Sequence, residues 1–433
     1  MMQLKFILFK NTVLLFVFIL ISCGNFSSAK NEKVAKQNDS EILRQAQNDS
    51  EEVALSQVNS NDNQIIVGAN QTEKYIPLIQ GKRIGVVANL TSVIFKNEAQ
   101  TTYTHLVDSL LALQMDLRKV FSSEHGFRGN VDAGEFVESG KDTKTGLPIV
   151  SLYGKNKKAT KESLKDIDIM IFDIQDVGVR FYTYISTLHY MMESCAETNI
   201  PLLILDRPNP NGHYVDGPTL EPENKSFLGM HPIPLVHGLT IGEFAQMLNG
   251  EKWLENQAQC NISVIPIKNY AHNKFYQVPI RPSPNLPNDQ AIKLYPSLGL
   301  FEGTNINAGR GTEFQFQRYG APFLDKNVFL FTYTPKESFG AKNPKHKEVL
   351  CYGEDLKNNS LYAEVSLKWL IKAYNHATDK SKVFNTENFT KHAGTDKLQK
   401  QIEAGLSEAD IKATWQKDLE AFKKLRAKYL IYN

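Results

Sequence analysis

From residue 83 onward the apolar positions fall into short runs separated by polar or turn residues. The segments 83–88, 118–121, 167–172, 201–205 and 262–266 are only a few residues long and rich in Val, Ile and Leu. Such runs predict strands buried on both faces. Between them, 104–114 and 182–198 carry helical periodicity, and 241–248 carries a shorter stretch of it. Strand alternating with helix predicts an α/β fold, a Rossmann-like parallel sheet covered by helices on both faces. Ligands of such sheets bind beyond the carboxyl ends of the strands, so the residues just after each run are the first candidates for chemistry.

The pattern changes near Pro282. Pro282-Ser283-Pro284-Asn285-Leu286-Pro287 is extended and stiffened by proline, and reads as a crossing between domains. It leads into a glycine-rich stretch with Glu302, Arg310 and Glu313, then helical periodicity in 361–373 and 402–430, with Ser407 as an N-cap candidate. The expected organisation is a Rossmann-like domain over 65–285 and a second, smaller α+β domain over 286–433.

The amino-terminal end has another character. Lys5 and Lys10 precede an apolar run over 13–21, about half of what a membrane span needs, and Leu20-Ile21-Ser22-Cys23 follows. Residues 1–22 therefore read as an export signal with a lipobox, and Cys23 as the lipidated first residue of an exported, periplasm-facing lipoprotein. Residues 23–64 are dominated by Asn, Gln, Ser and charged side chains, with Gln-Asn-Asp-Ser-Glu at 37–41 and again at 47–51. Such a segment cannot bury a core and is expected to act as a flexible tether.

Charge narrows the partners. The 433 residues carry 49 Lys and Arg against 47 Asp and Glu, a formal balance of +2. Removal of 1–22 takes away two lysines and no acid, so the body is neutral and membrane attachment must come from lipid. Without a basic field, nucleic acid is not an expected partner. Cys195, Cys260 and Cys351 stand far apart with no Cys-x-x-Cys pair, and no His-Glu-x-x-His occurs. No metal and no cofactor are expected, and the cysteines read as buried thiols.

The loops after the candidate strands carry the chemistry. Val120-Phe121 is followed by Ser122-Ser123-Glu124-His125-Gly126-Phe127-Arg128-Gly129. Ile171-Phe172 is followed by Asp173-Ile174-Gln175-Asp176-Val177-Gly178-Val179-Arg180-Phe181-Tyr182-Thr183-Tyr184, and Leu205 by Asp206-Arg207-Pro208-Asn209-Pro210. No Gly-x-Gly-x-x-Gly follows the first strand and no Gly-x-Ser-x-Gly occurs, which disfavours a dinucleotide site and a serine hydrolase. Carboxylates with aromatic and amide groups in a cleft suit glycoside chemistry, in which one carboxyl protonates the leaving oxygen. A second negative group, or the substrate's own acetamide, then supports the oxocarbenium-like centre. Glu124 is the candidate acid, with His125 beside it and Gly126 allowing a tight turn.

These motifs, together with His237-Gly238-Leu239-Thr240, Pro282-Ser283-Pro284-Asn285 and Phe301-Glu302-Gly303-Thr304-Asn305, resemble the bacterial exo-β-N-acetylmuramidase family from about Gly81 to the carboxyl end. The sequence departs from the family pattern at Ser122-Ser123, at Ala88-Asn89-Leu90-Thr91-Ser92 and at Asn307, without loss of a carboxylate. The resemblance implies release of N-acetylmuramic acid from non-reducing ends of peptidoglycan glycan strands. It implies Glu124 as acid, with Asp176 or Glu302 as second carboxylate, although Asp173 and Asp176 could instead lock their loop. Arg128, Arg180 and Arg310 are the candidates to meet the lactyl carboxylate, Tyr182 and Tyr184 to stack on the sugar or contact its acetamide. Further substrate contacts are expected of Asn89, His125, Asp173, Asn209 and Asn305. A non-catalytic glycan-binding lipoprotein using the same cleft is the alternative, and it would tolerate loss of Glu124.

Overall fold

The computed structural model describes residues 63–129, 139–360 and 363–433. The export signal, Cys23 and the tether up to residue 62 lie outside the described residues. Residues from Gln64 to Asn433 form one compact unit.

Its centre is a seven-stranded sheet built from β1 (Ile84–Ala88), β2 (Leu117–Ser122), β3 (Gly140–Lys141), β4 (Pro148–Ser151), β5 (Ile169–Asp173), β6 (Leu202–Leu205) and β7 (Ile262–Ile265). The spatial order is β3-β4-β2-β1-β5-β6-β7. Every pairing is parallel except that of the short edge strand β3 with β4. β1 and β5 are buried along their whole length, as strands covered on both faces must be. A Cβ at Gly85 would run into the Met170 sulfur of the neighbouring strand, so that side chain would have to move. The chain runs from β1 to β2 on one side and later returns to β5 on the other. The crevice where a doubly wound sheet binds ligands therefore opens at the carboxyl ends of β2, β1 and β5.

The five strands expected from the apolar runs are present with ends shifted by one or two residues, and helices lie at Leu106–Ala112, Tyr184–Thr198 and Ile241–Gly250. The last carries a capping box: Thr240 accepts from the Glu243 amide while the Glu243 carboxylate accepts from the Thr240 amide. A second, smaller region adds an antiparallel sheet of β8 (Arg318–Ala321), β9 (Phe331–Tyr333) and β10 (Cys351–Asp355), in the order β8-β10-β9. The periodic stretch over 402–430 is divided into separate helices. Gly405 takes a left-handed φ of 77°, and the Ser407 hydroxyl accepts from the Asp410 amide at 3.2 Å to start Glu408–Ala413.

One apolar cluster runs from the β5 and helix Tyr184–Thr198 side of the sheet through Tyr295, Phe301 and Phe316 to Phe389 and Phe422. The proline-rich stretch expected as a crossing is drawn into this body. Residues 282–286 are buried, and the Pro282 carbonyl accepts from the Tyr182 hydroxyl at 2.7 Å and the Tyr184 hydroxyl at 3.3 Å. The three described cysteines are buried and free, with Cys195 and Cys260 side by side.

Candidate active site

The loop after β2 turns sharply. His125 and Gly126 take consecutive left-handed φ values of 72° and 79°, so the chain doubles back and Glu124 stands at the strand end. Its Oε2 accepts from Thr183 Oγ1 at 3.1 Å. Thr183 occupies the N-cap position of helix Tyr184–Thr198 but gives the helix no side-chain cap, because its hydroxyl is turned to Glu124. The Tyr153 hydroxyl, just beyond β4, is also within hydrogen-bonding reach of this carboxylate. Burial first, and the Glu124 charge second, push that phenol above its ordinary value.

Asp176 comes from the loop after β5. Its Oδ2 accepts from the Gly178 amide at 2.6 Å, while Oδ1 is enclosed without a partner. Burial lifts the carboxyl to about 7, against the opposing pull of the Gly178 and Val177 amides. The folded state thus holds this proton more tightly than the unfolded chain. The contribution to stability is complete below about pH 4 and is lost as pH rises through about 7. Asp176→Asn should accordingly narrow the difference in melting temperature between pH 5 and pH 8. An unchanged difference would mean that this carboxyl titrates like an exposed one.

The remaining groups come from beyond residue 290. Tyr295 lies on helix Asp289–Leu298, Glu302 on the short 3-10 turn Gly299–Gly303, and Arg310 on the loop that precedes β8. Arg310 Nε is 3.1 Å from Glu302 Oε1, and both side chains are about one quarter exposed, at 24% and 22%. Among the described residues this is the hydrogen bond of the Arg310 side chain, and its guanidinium lies 5.3 Å from the centre of the Phe316 ring. Burial pushes the Glu302 carboxyl up, but Arg310, Lys345 and His392 together outweigh it and hold the group below the usual glutamate range. Lys345 is fixed by the Phe301 and Glu302 carbonyls at 2.8 and 3.0 Å. The Tyr295 hydroxyl is the hub of this arrangement. Its proton is held mainly by burial, with Arg310 opposing and Glu302, Glu124 and Asp176 all adding to the effect. Four charged or titratable groups therefore act on one phenol. Among the described residues no three His, Cys, Asp or Glu side chains converge as metal ligands.

A family described as "Exo-beta-N-acetylmuramidase NamZ" matches this chain with its N-terminal model over residues 84–290 and its C-terminal model over 293–432. The chain belongs to the NamZ exo-β-N-acetylmuramidase family. It is a glycoside hydrolase. The peptidoglycan β-N-acetylmuramidase NamZ of Bacillus subtilis strain 168 is 39% identical over 377 residues, which cover 83% of this chain and 89% of the relative. Two crystal structures of DUF1343 family proteins from Bacteroides fragilis NCTC 9343 share the fold. The first has a TM-score of 0.77 at 45% identity, covering 85% of this chain and 99% of its own. The second has a TM-score of 0.71 at 30% identity, covering 86% and 100%.

Of the residues singled out from sequence in this NamZ-family structure, Glu124, Asp176, Glu302 and Arg310 all act on Tyr295, the Tyr182 ring lies 6.0 Å from that of Tyr295, and Tyr184 feels Glu124 and Asp176. The two tyrosines are buried, their rings meet edge to face at 4.7 Å, and both hydroxyls hold Pro282. Asn89 joins the same cluster from the end of β1, donating to the Tyr184 hydroxyl at 3.0 Å while its Oδ1 orders Thr91. His125 is buried in the kink beside Glu124.

The other candidates are drawn elsewhere. Asp173 is fully buried and forms a two-bond ion pair with Arg207, at 2.6 and 2.9 Å. Arg128 reaches Asp142 at 2.7 Å and Asp108 at 3.0 Å. Arg180 is fully buried and donates to the carbonyls of Pro218, Ile233, His392 and Ala393. Asn209 braces its own loop through the Asn211 amide and the Leu239 carbonyl. Asn305 is exposed and bonds the Lys382 carbonyl at 2.9 Å.

Sequence reasoning missed Tyr153, Thr183, Tyr295, Lys345 and His392 as members of the site. For Tyr153 a signal was present, since Leu147-Pro148-Ile149-Val150-Ser151 is a further short apolar run with a polar residue and a turn after it. Lys345 and His392 carry no pattern that distinguishes them from surface residues.

Proposed function

We propose that the protein removes N-acetylmuramic acid from the non-reducing ends of peptidoglycan-derived glycans by hydrolysis of the β-glycosidic bond, with Glu124 as general acid. The observation that carries this is that Arg310 pairs with Glu302 at 3.1 Å and also feels the charge of Glu124, which stands at the end of β2. Glu124 protonates the departing oxygen while Thr183 and Tyr153 hold its carboxyl in line. Glu302, kept ionised by the cations beside it, supports the developing positive charge at the anomeric carbon. Asp176 has one oxygen enclosed and the other on an amide, and it acts from behind the site as a loop lock.

Arg310 gives the substrate preference. Glu302 aligns the guanidinium through Nε and leaves the terminal fork for the lactyl carboxylate, the group that muramic acid has and glucosamine lacks. The test is turnover of 4-nitrophenyl N-acetylmuramide against the matching glucosaminide. The wild type should release nitrophenolate from the muramide with clear preference. Arg310→Gln should lower kcat/KM on the muramide by about 10²-fold and erase most of that preference. No colour from either substrate with the wild type would overturn the reading, and a preserved preference in the variant would remove Arg310 from it.

The enzyme works, in this reading, as a lipoprotein anchored through Cys23 and facing the periplasm, where wall fragments are available. The support is Leu20-Ile21-Ser22-Cys23 followed by a long polar tether. Cys23→Ser should release the protein from the membrane fraction of cells that make it, and retention would refute the anchor.

A further inference from the structure

The Glu124 carboxylate has neighbours of two kinds. Arg310 and Glu302, paired at 3.1 Å, are a charged setting that suits the muramic acid ring and its lactyl group. Tyr153, which feels the charges of both Glu124 and Arg310, leads into aromatic surroundings. The Tyr153 ring lies 6.3 Å from that of Phe227, and Phe227 lies 6.2 Å from Tyr190 with only 13° between the planes. Lys157 Nζ sits 4.5 Å from the centre of the Phe227 ring. All four residues are partly exposed, and three adjoining aromatic rings that begin beside a catalytic candidate offer a ligand an apolar face.

The shelf is also built to stay in place. Ser186, on the first turn of the helix that starts beside Glu124, donates to the Phe227 carbonyl at 2.8 Å. The Ser226 hydroxyl accepts from the Leu228 amide, and Ser226 and Gly229 pair across the turn. Tyr153 is tied back to Ser151 at the end of β4 through its amide, at 3.2 Å.

We infer that Phe227 and Tyr190, with Tyr153 and Lys157 at their edges, form the platform for the leaving sugar, the N-acetylhexosamine on the reducing-end side of the bond that is cut. The inference rests on the proposed role of Glu124. An acid that protonates the glycosidic oxygen stands between two sugars, and with the muramic acid held at Arg310 the second ring is assigned to the aromatic group that begins at Tyr153. One face of a pyranose presents only C–H groups, slightly positive and apolar, and these match the negative face of an aromatic ring. The Lys157 ammonium, on its flexible stem, can swing from the ring to a sugar hydroxyl or the acetamide carbonyl.

The experiment compares two substrates in the full-length enzyme: the disaccharide N-acetylmuramyl-β-1,4-N-acetylglucosamine, and N-acetylmuramyl fluoride, whose leaving group has no ring. Phe227→Ala should lower kcat/KM on the disaccharide by about ten- to one hundredfold, with a much smaller loss on the fluoride, so that the ratio of the two falls at least tenfold. Phe227→Trp should keep that ratio close to the wild-type value. Equal losses on both substrates, or no loss on either, would overturn the platform while leaving the role of Glu124 intact. A wild type inactive on both would overturn the reading of the site and the platform with it.

Discussion

Glu124→Gln should cut turnover of the muramyl disaccharide by about 10²- to 10⁴-fold while leaving the melting temperature within a degree or two of the wild type. Glutamine retains the shape and an oxygen that accepts from Thr183 and Tyr153, so the local scaffold survives; it has no proton to give. Nitrophenolate leaves unaided far more readily than a sugar alkoxide, so an acid-deficient variant should lose less on the nitrophenyl glycoside than on the disaccharide. Equal loss on both substrates with an unchanged melting temperature would reassign Glu124 to nucleophile, water activation or substrate placement. Near wild-type turnover on both would remove it from the chemistry.

The largest expected effect on stability belongs to Arg180. Its guanidinium is fully enclosed and fastens four carbonyls, Pro218 and Ile233 on one side with His392 and Ala393 on the other, at 2.6 to 3.2 Å. Burial alone lowers its proton affinity to about 9, so it remains charged at neutral pH. Arg180→Met fills much of the same volume but leaves those buried acceptors without donors, each worth about 1–3 kcal/mol when stranded. Part of that loss is offset because a buried charge is also removed. A net destabilisation of about 3 kcal/mol or more is expected, seen as a fall of several degrees in thermal unfolding. Abolished turnover with an unchanged melting temperature would make Arg180 a substrate contact instead.

The apolar runs and their spacing were enough for five strands of the central parallel sheet. A parallel strand buried on both faces must be short, aliphatic and bounded by polar residues, and β1, β5 and β6 have that form in the sequence itself. The same rule placed Glu124, Asn89 and Asp176 at strand ends and hence at one edge of the sheet. The small sheet of β8, β9 and β10 was not legible at that level. Its strands mix Arg, Gly, Tyr and Asp, and they are strands because they pair with one another across as many as 37 positions of chain, as Arg318 does with Asp355.

The division of labour among the charged residues was decided only by the tertiary structure. Asp173 and Asp176 look alike in sequence, three residues apart, at the end of β5 and in the loop after it. The fold gives the first an arginine 34 residues away and the second nothing but backbone amides, and burial then makes one an ion pair and the other a carboxyl poised near neutrality. Arg180 and Arg310 were equal candidates until carbonyls 212 and 213 residues downstream closed over the first, while Glu302 held the second at the cleft. An ionisable side chain takes its role from the charges, amides and water around it. Those neighbours arrive by folding from distant parts of the chain, whereas a strand's pattern of burial is written in the residues of the strand itself.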